Sequence, residues 1–148
     1  MHRRNILTAA FAATGALFAA AKAARANPVT PDKSKVVYHL NDFDKVNFVL
    51  GNIKNHFDGV GGPGFVTIAL VVHGPALKAF HSAAASPETR QRTEQFAKSG
   101  LQLNACGNTM RSQNVTLKDL LPGFVSAEQG GVVRIAELQA QGYVYLRP

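Results

Sequence analysis

Phe65-Val66-Thr67-Ile68-Ala69-Leu70-Val71-Val72-His73 is the most apolar run in the chain after residue 26. It is strand length and rich in β-branched residues, which suit a pleated backbone. A run without polar alternation is covered on both faces, as a central strand of a parallel sheet is. Gly74-Pro75 breaks the run, and Pro75 suits the first turn of a short helix through Phe80. The expectation is an α/β fold whose sheet is built around residues 65–73.

Upstream, Lys35–Leu40 reads as a first strand, with Asn41 or Asp42 as the cap of a helix. In that helix Phe43, Val46, Val49, Leu50, Ile53 and Phe57 recur at three- and four-residue steps, which is one buried face. The glycines of Gly59-Val60-Gly61-Gly62-Pro63-Gly64 match G-x-G-x-x-G in form only. A dinucleotide fingerprint leaves a strand and enters a helix; here the order is reversed, and Pro63 lacks the N–H a phosphate cradle needs. The segment is therefore a turn.

Downstream, Ser86 caps a helix that Gly100 ends. Phe96 and Ala97 are nearly its only apolar residues, so it lies on the surface with Arg90, Arg92 and Lys98 solvated. Leu101–Cys106 alternates as a strand and stops at a Gly107-Asn108-Thr109 turn. Thr116–Leu121 makes a short helix halted by Pro122-Gly123, and Phe124-Val125 a brief strand. Gly130-Gly131 lead into a helix through Gln141 with Val132, Ile135, Ala136 and Leu138 as its apolar stripe, before a last strand at Tyr143–Leu146. This alternation predicts one α/β domain over residues 35–148 with a mainly parallel sheet.

The first 26 residues belong to a different kind of segment. Arg3 and Arg4 precede an uncharged run from Asn5 to Ala21, and Ala24-Arg25-Ala26 is an A-x-A cleavage pattern. The run is short of the roughly 20 residues of a spanning helix, so no stable membrane anchor is expected. The paired arginines resemble the bacterial twin-arginine signal, although His2, Ile6 and Thr8 depart from it, which keeps the general secretory route open. Residues 1–26 are accordingly read as a signal peptide, 27–34 as a linker, and the location as periplasmic or otherwise exported. Arg3, Arg4, Lys22 and Arg25 supply four of the seven excess positive charges, leaving +3 for the remainder. Those charges are scattered and lack aromatic platforms, so nucleic acid is not an expected partner. A single cysteine excludes an internal disulfide.

Three predicted strands end in residues capable of chemistry: His39, His73 and Cys106. In a parallel sheet these ends share one edge, where ligands collect. Periodicity does not supply the strand order, so it leaves open whether the three meet. His39 reads as a hydrogen-bonded residue at the rim, and His73 as the stronger site candidate. His56 and His81 are placed on helices at the surface. Cys106 reads either as a reactive thiol or as a small buried hydrophobe.

Four motifs, in order, resemble the DsrE/DsrF-like family over residues 35–148. They are V-V-H-G-P-A-L from Val71, C-G-N-T-M from Cys106, L-x-D-L-L-P-G from Leu117, and G-G-V-x-R-I-A-E-L-Q-x-x-G-Y-V-Y-L from Gly130. The resemblance is closest to an exported single-domain branch. It implies a three-layer α/β/α sandwich with a five-stranded sheet, assembled as a homo-oligomer, a trimer or hexamer. It also implies a loop cysteine carrying persulfide sulfur, here Cys106, passed between a donor and an acceptor protein.

For that chemistry Cys106 and His73 are the candidate catalytic residues, thiolate and proton carrier. Asn108, Thr109, Arg111 and His39 are the candidate binding residues; backbone N–H groups and the Arg111 cation favour a thiolate. No metal or cofactor is expected. Three other readings use the same residues. A Cys-His hydrolase lacks an obvious residue to orient His73. A metal site of His39, His73 and Cys106 lacks a close-spaced ligand pair. A non-catalytic binding or assembly subunit needs Cys106 only as a structural residue.

Overall fold

The computed structural model describes residues 33–148; the expected signal peptide, and all but the last two residues of the expected linker, lie outside them. Five strands form one sheet in the order β4-β3-β2-β1-β5, and every neighbouring pair is parallel. They are β1 (Ser34–Leu40), β2 (Val66–Val72), β3 (Gln102–Cys106), β4 (Phe124–Ala127) and β5 (Val144–Leu146). The apolar run that announces the sheet is its central strand. Six of the seven β2 residues are buried, and Ile68 and Leu70 face one core while Ala69 and Val71 face the other.

The helices divide unequally between the two faces. The chain steps from β1 to β2 to β3 to β4 in one direction, then returns across the whole sheet to β5. Because parallel crossovers keep one hand, reversing direction moves the connection to the other face. The first face carries α1 (Val46–Gly59) and α2 (Pro87–Lys98), together with α3 (Gly107–Ser112) and three 3-10 turns. Its core contains Val36, Tyr38, Leu40, Leu50, Ile53, Leu70, Phe80 and Met110. The second face carries only α4 (Gly131–Ala140), whose Ile135 and Leu138 join Val37, Ala69, Val71 and Tyr143. This is the expected three-layer α/β/α sandwich with one thin layer.

Several local expectations change. Phe43 is 52 % exposed because residues 43–45 form a 3-10 turn, which rotates it off the face that Val46, Val49, Leu50, Ile53 and Phe57 bury. Neither Asn41 nor Asp42 caps that helix with its side chain; Asn41 instead accepts a hydrogen bond from Arg147 at 3.0 Å. Ser86 does cap α2, accepting the Thr89 N–H at 3.1 Å. That helix buries Thr89 and Thr93 beside Phe96, a stripe too polar to stand out by hydropathy. In α4 Val132 and Ala136 point outward and only Gly131, Ile135 and Leu138 are buried, so the stripe is narrower than predicted. Phe124 and Tyr143 are buried, and Val125 remains exposed. The glycine-rich segment after α1 is a turn, as read, with Gly61 and Gly62 at φ +92° and +122°. Among the described residues no helix is long and apolar enough to cross a membrane.

Candidate active site

Side chains alternate along a strand, so register decides which of them share a face. His39 pairs with Val71, and Val71 with Asn104. One step beyond Val72 and Ala105, the same register sets His73 opposite Cys106. On β5, Tyr145 pairs with Val37, two residues before His39. Cys106, His39 and Tyr145 on β3, β1 and β5, and His73 directly after β2, therefore stand side by side on the α4 face at the carboxyl end. The structure brings together the three strand-end residues singled out in the sequence and adds a fourth.

Cys106 occupies the topological switch point. The connection leaving β3 runs over the first face, and the connection leaving β4 runs over the second. In open α/β sheets the crevice forms where neighbouring strands send their connections opposite ways. The Gly-Asn-Thr turn expected after Cys106 is instead the first turn of α3, with Cys106 at its N-cap position. The N-terminus of α4 arrives from the other side. The backbone N–H groups of Asn108 and Thr109 in α3 and of Gly131 in α4, together with the Thr109 hydroxyl, act on the thiol, and each favours its ionised form. Free N–H groups at a helix start favour an anion. Burial works to raise the thiol pKa; the Thr109 hydroxyl and the three amides outweigh it, and the net shift is downward.

Thr109 has a defined direction in this arrangement. Its Oγ1 accepts the Gly74 N–H at 2.9 Å, which fixes the hydroxyl beside the thiol whose pKa it lowers. Gly131 is held small by the site. A Cβ there would stand 3.3 Å from the Cβ atoms of both Cys106 and His73. The two side chains thus flank one glycine, with no hydrogen bond between them. Cys106 is only 6 % exposed. Two open cavities lie at the neighbouring end of β4, about 300 Å³ beside Asn104, Ala127, Gly130 and Arg134, and about 470 Å³ beside Gly107, Arg111 and Glu128.

The histidines form a second cluster. His39 and His73 stack with ring centroids 4.7 Å apart, and their Nε2 atoms are 2.5 Å apart. The other nitrogen of His39, Nδ1, is 2.7 Å from the Tyr145 hydroxyl. Burial lowers the pKa of both rings first of all. For His39 the neighbouring His73 and then Arg147 add to this, Asp42 opposes it, and the pKa falls to about 4. For His73 Arg147 adds and Asp42 opposes, and the shift is again downward. Both imidazoles are neutral at neutral pH.

A scan against family models matches residues 12–148 to one family, described as DsrE/DsrF-like. The chain belongs to the DsrE/DsrF-like family. A search of the curated proteins finds no match. Among solved structures, a protein of unknown function from Methanobacterium thermoautotrophicum, MTH1491, superposes with a TM-score of 0.69 at 24% identity, over 78% of this chain and all of its own. The conserved protein of unknown function BT1422 from Bacteroides thetaiotaomicron gives 0.59 at 17% identity, over 78% of this chain and 95% of its own. The ychN protein from E. coli gives 0.55 at 11% identity, over 78% and 99%. At these identities the likeness establishes the fold.

In this DsrE/DsrF-like chain two residues are placed differently from what the sequence alone suggests. Arg111 does not turn back onto the thiol: its guanidinium bonds the Asn108 carboxamide and reaches the Glu128 carboxylate at 3.8 Å. His81 is not on a helix; it follows the turn Gly74–Phe80 and bonds Gln113 at 2.8 Å. His56 does lie on α1 and bonds the Tyr38 hydroxyl at 2.9 Å. Sequence reasoning misses Gly131 and Tyr145. Gly131 reads only as a helix leader, and Tyr145 as one aromatic of the last strand. Among the described residues no three His, Cys, Asp or Glu side chains cluster as a set that could hold a metal ion.

Proposed function

We propose that this protein is an exported sulfur carrier that holds a persulfide on Cys106. The observation that carries the reading is the place of the single thiol, at the switch point of the sheet between the starts of α3 and α4. The Thr109 hydroxyl and three backbone amides there favour its ionised form. In the step itself, the Cys106 thiolate attacks the outer sulfur of a donor persulfide, R–S–SH. A new S–S bond forms at Cys106, the donor's S–S bond breaks, and the donor leaves as a thiolate. The proton first taken from Cys106 neutralises that thiolate, with His73 as its carrier. No net oxidation occurs. The absence of a second cysteine in the chain prevents the loaded persulfide from collapsing into an internal disulfide.

The 6 % exposure of Cys106 favours a second reading, a non-catalytic binding or assembly subunit in which the cysteine is structural. The same experiment separates the two. In the folded protein the carrier alkylates readily, gains one sulfur atom from a polysulfide donor by intact-mass measurement, and loses it to a reductant. Cys106→Ser abolishes loading and keeps the fold. A thiol that alkylates only after unfolding overturns the carrier reading and leaves the structural one. Export and assembly are part of the proposal. Residues 1–30 fused to a reporter should carry it out of the cytoplasm, and Arg3→Lys with Arg4→Lys should stop this if the twin-arginine route is used. Light scattering should give a trimer or a multiple of it; a monomer at micromolar concentration removes that part.

A further inference from the structure

Tyr145, His39 and His73 are joined atom to atom along the carboxyl edge. The Tyr145 hydroxyl meets His39 Nδ1 at 2.7 Å, and His39 Nε2 meets His73 Nε2 at 2.5 Å. A contact between two imidazole nitrogens needs a proton on one and a lone pair on the other. That requirement couples the three groups, and only two neutral arrangements satisfy all the contacts. In one, Tyr145 donates to His39 Nδ1, His39 donates from Nε2, and His73 carries its own proton on Nδ1. In the other, His73 donates from Nε2 to His39, His39 donates from Nδ1 to the tyrosine oxygen, and His73 Nδ1 is a bare lone pair. Passing from the second to the first takes up one proton at His73 Nδ1 and releases one from the Tyr145 hydroxyl. Neither ring gains a net charge.

We propose that this array is a proton relay between solvent and the Cys106 site, with Tyr145 as its outer end and His39 as the positioning residue between. It rests on the sulfur-carrier reading and names how that site exchanges its proton. The placement fits the task. Tyr145 is 38 % exposed on an edge strand, while His73 shares the Gly131 contact with Cys106 and sits opposite it in register. The charged groups that act on the pair are Arg147 and Asp42, which reach each other at 3.9 Å; their effects on the rings are opposed. Rings kept neutral by burial do not store a proton, so they serve by passing one on. The array spans residues 39, 73 and 145, and each member stands on a different strand or at its end.

The test uses Tyr145→Phe and His39→Ala in the full mature protein, with two readouts. Transfer of sulfur from loaded Cys106 to a small acceptor thiol should slow by about a hundredfold, the ordinary weight of a positioned proton carrier. Iodoacetamide alkylation, which needs only the thiolate, should keep its wild-type rate and pH profile. Added imidazole should restore transfer in His39→Ala. Alkylation that falls with transfer, or a failure of imidazole to rescue, marks a structural role and overturns the relay. The second readout does not depend on sulfur chemistry. Nitrogen-15 NMR of the histidine rings should show Tyr145→Phe changing the tautomer balance of His73 as well as His39. A His73 spectrum unmoved by Tyr145→Phe overturns the relay. If the wild-type protein never takes up sulfur while the tautomers remain coupled, the carrier reading fails and the relay stands as a proton path to an unloaded thiol.

Discussion

Replacing Thr109 by Val tests the donor set that holds the Cys106 thiol down. The two side chains are nearly the same shape, and Thr109 is buried at 8 % exposure, so packing changes little. One hydrogen bond disappears, and with it the hydroxyl that favours the thiolate. Gly74 loses the acceptor of its N–H, a 2.9 Å bond, and for this half-buried donor the loss costs about 1 kcal/mol, the low end of the range for an unpaired group. The sulfur loses a hydroxyl donor, and a hydrogen bond to a charged group contributes about 1.5–3 kcal/mol. The lower end of that range corresponds to about a tenfold smaller thiolate fraction wherever the thiol is mostly protonated. A more basic thiolate is also a better nucleophile, with a Brønsted slope of about 0.4–0.5, which returns about threefold. The net expectation is alkylation slowed about threefold at neutral pH, with the whole pH profile moved to higher pH. Thr109→Ser keeps the hydroxyl and should alkylate as wild type. Stopped-flow alkylation across pH, with urea unfolding of the same variants, measures both effects. A Thr109→Val profile that overlies the wild type would refute the assignment of the lowered pKa to this hydroxyl.

Gly131→Ala should weaken the site through crowding: its Cβ would meet Cys106, His73 and Val71 at 3.3–3.4 Å, so the start of α4 must shift by a few tenths of an ångström. Overpacking of this kind costs about 1–3 kcal/mol, and the displaced Gly131 amide should leave the thiol less acidic; a variant with wild-type urea midpoint and alkylation profile contradicts the close fit. Stability should also depend on pH through His39. Its pKa is about 4 in the folded chain and 6.5 when unperturbed, so between those values the unfolded chain binds more protons. Stability is then full above about 6.5 and falls as pH drops toward 4; urea midpoints measured across this window should slope less in His39→Gln, and an unchanged slope counts against the half-buried neutral ring.

Charge pairs on the surface stand in contrast to these buried groups. Lys54–Asp58 and Arg92–Glu88 are solvent-exposed pairs on single helices. Such pairs contribute about 0.3–0.5 kcal/mol each. The donors on Cys106 act in a drier setting, where each hydrogen bond weighs more. The lowered thiol pKa therefore reflects a handful of neighbouring groups rather than the net positive charge of the chain.

The elements are legible in the sequence because their signals are local. Residues 65–73 lack polar alternation, which a strand covered on both sides requires, and β2 is that strand. Gly74-Pro75 end β2 because of their own backbone limits, whereas the helix expected over Thr116–Leu121 is only the 3-10 turn Leu117–Asp119, which ends before Pro122-Gly123. The four-residue rhythm of Val46, Val49, Leu50, Ile53 and Phe57 marks a helix face wherever the helix goes. Phe43 and Val132 depart from their expected faces because a 3-10 start and a narrow contact stripe are set by what the helix meets, not by its own period. Cys106, His73 and His39 are visible as strand ends, but nothing local says that β3, β2 and β1 are neighbours. That order depends on which faces fit together, and the reversal of direction after β4 then places α4 alone on the second face. From this one non-local choice come the packing of Gly131 between Cys106 and His73 and the contact of Tyr145 with His39 across 106 residues of chain. Strands, helices and the residues at their ends follow from short stretches of chain read one at a time. That the ends adjoin follows from packing alone, because adjacency is a property of strand order and leaves no periodic trace along the chain.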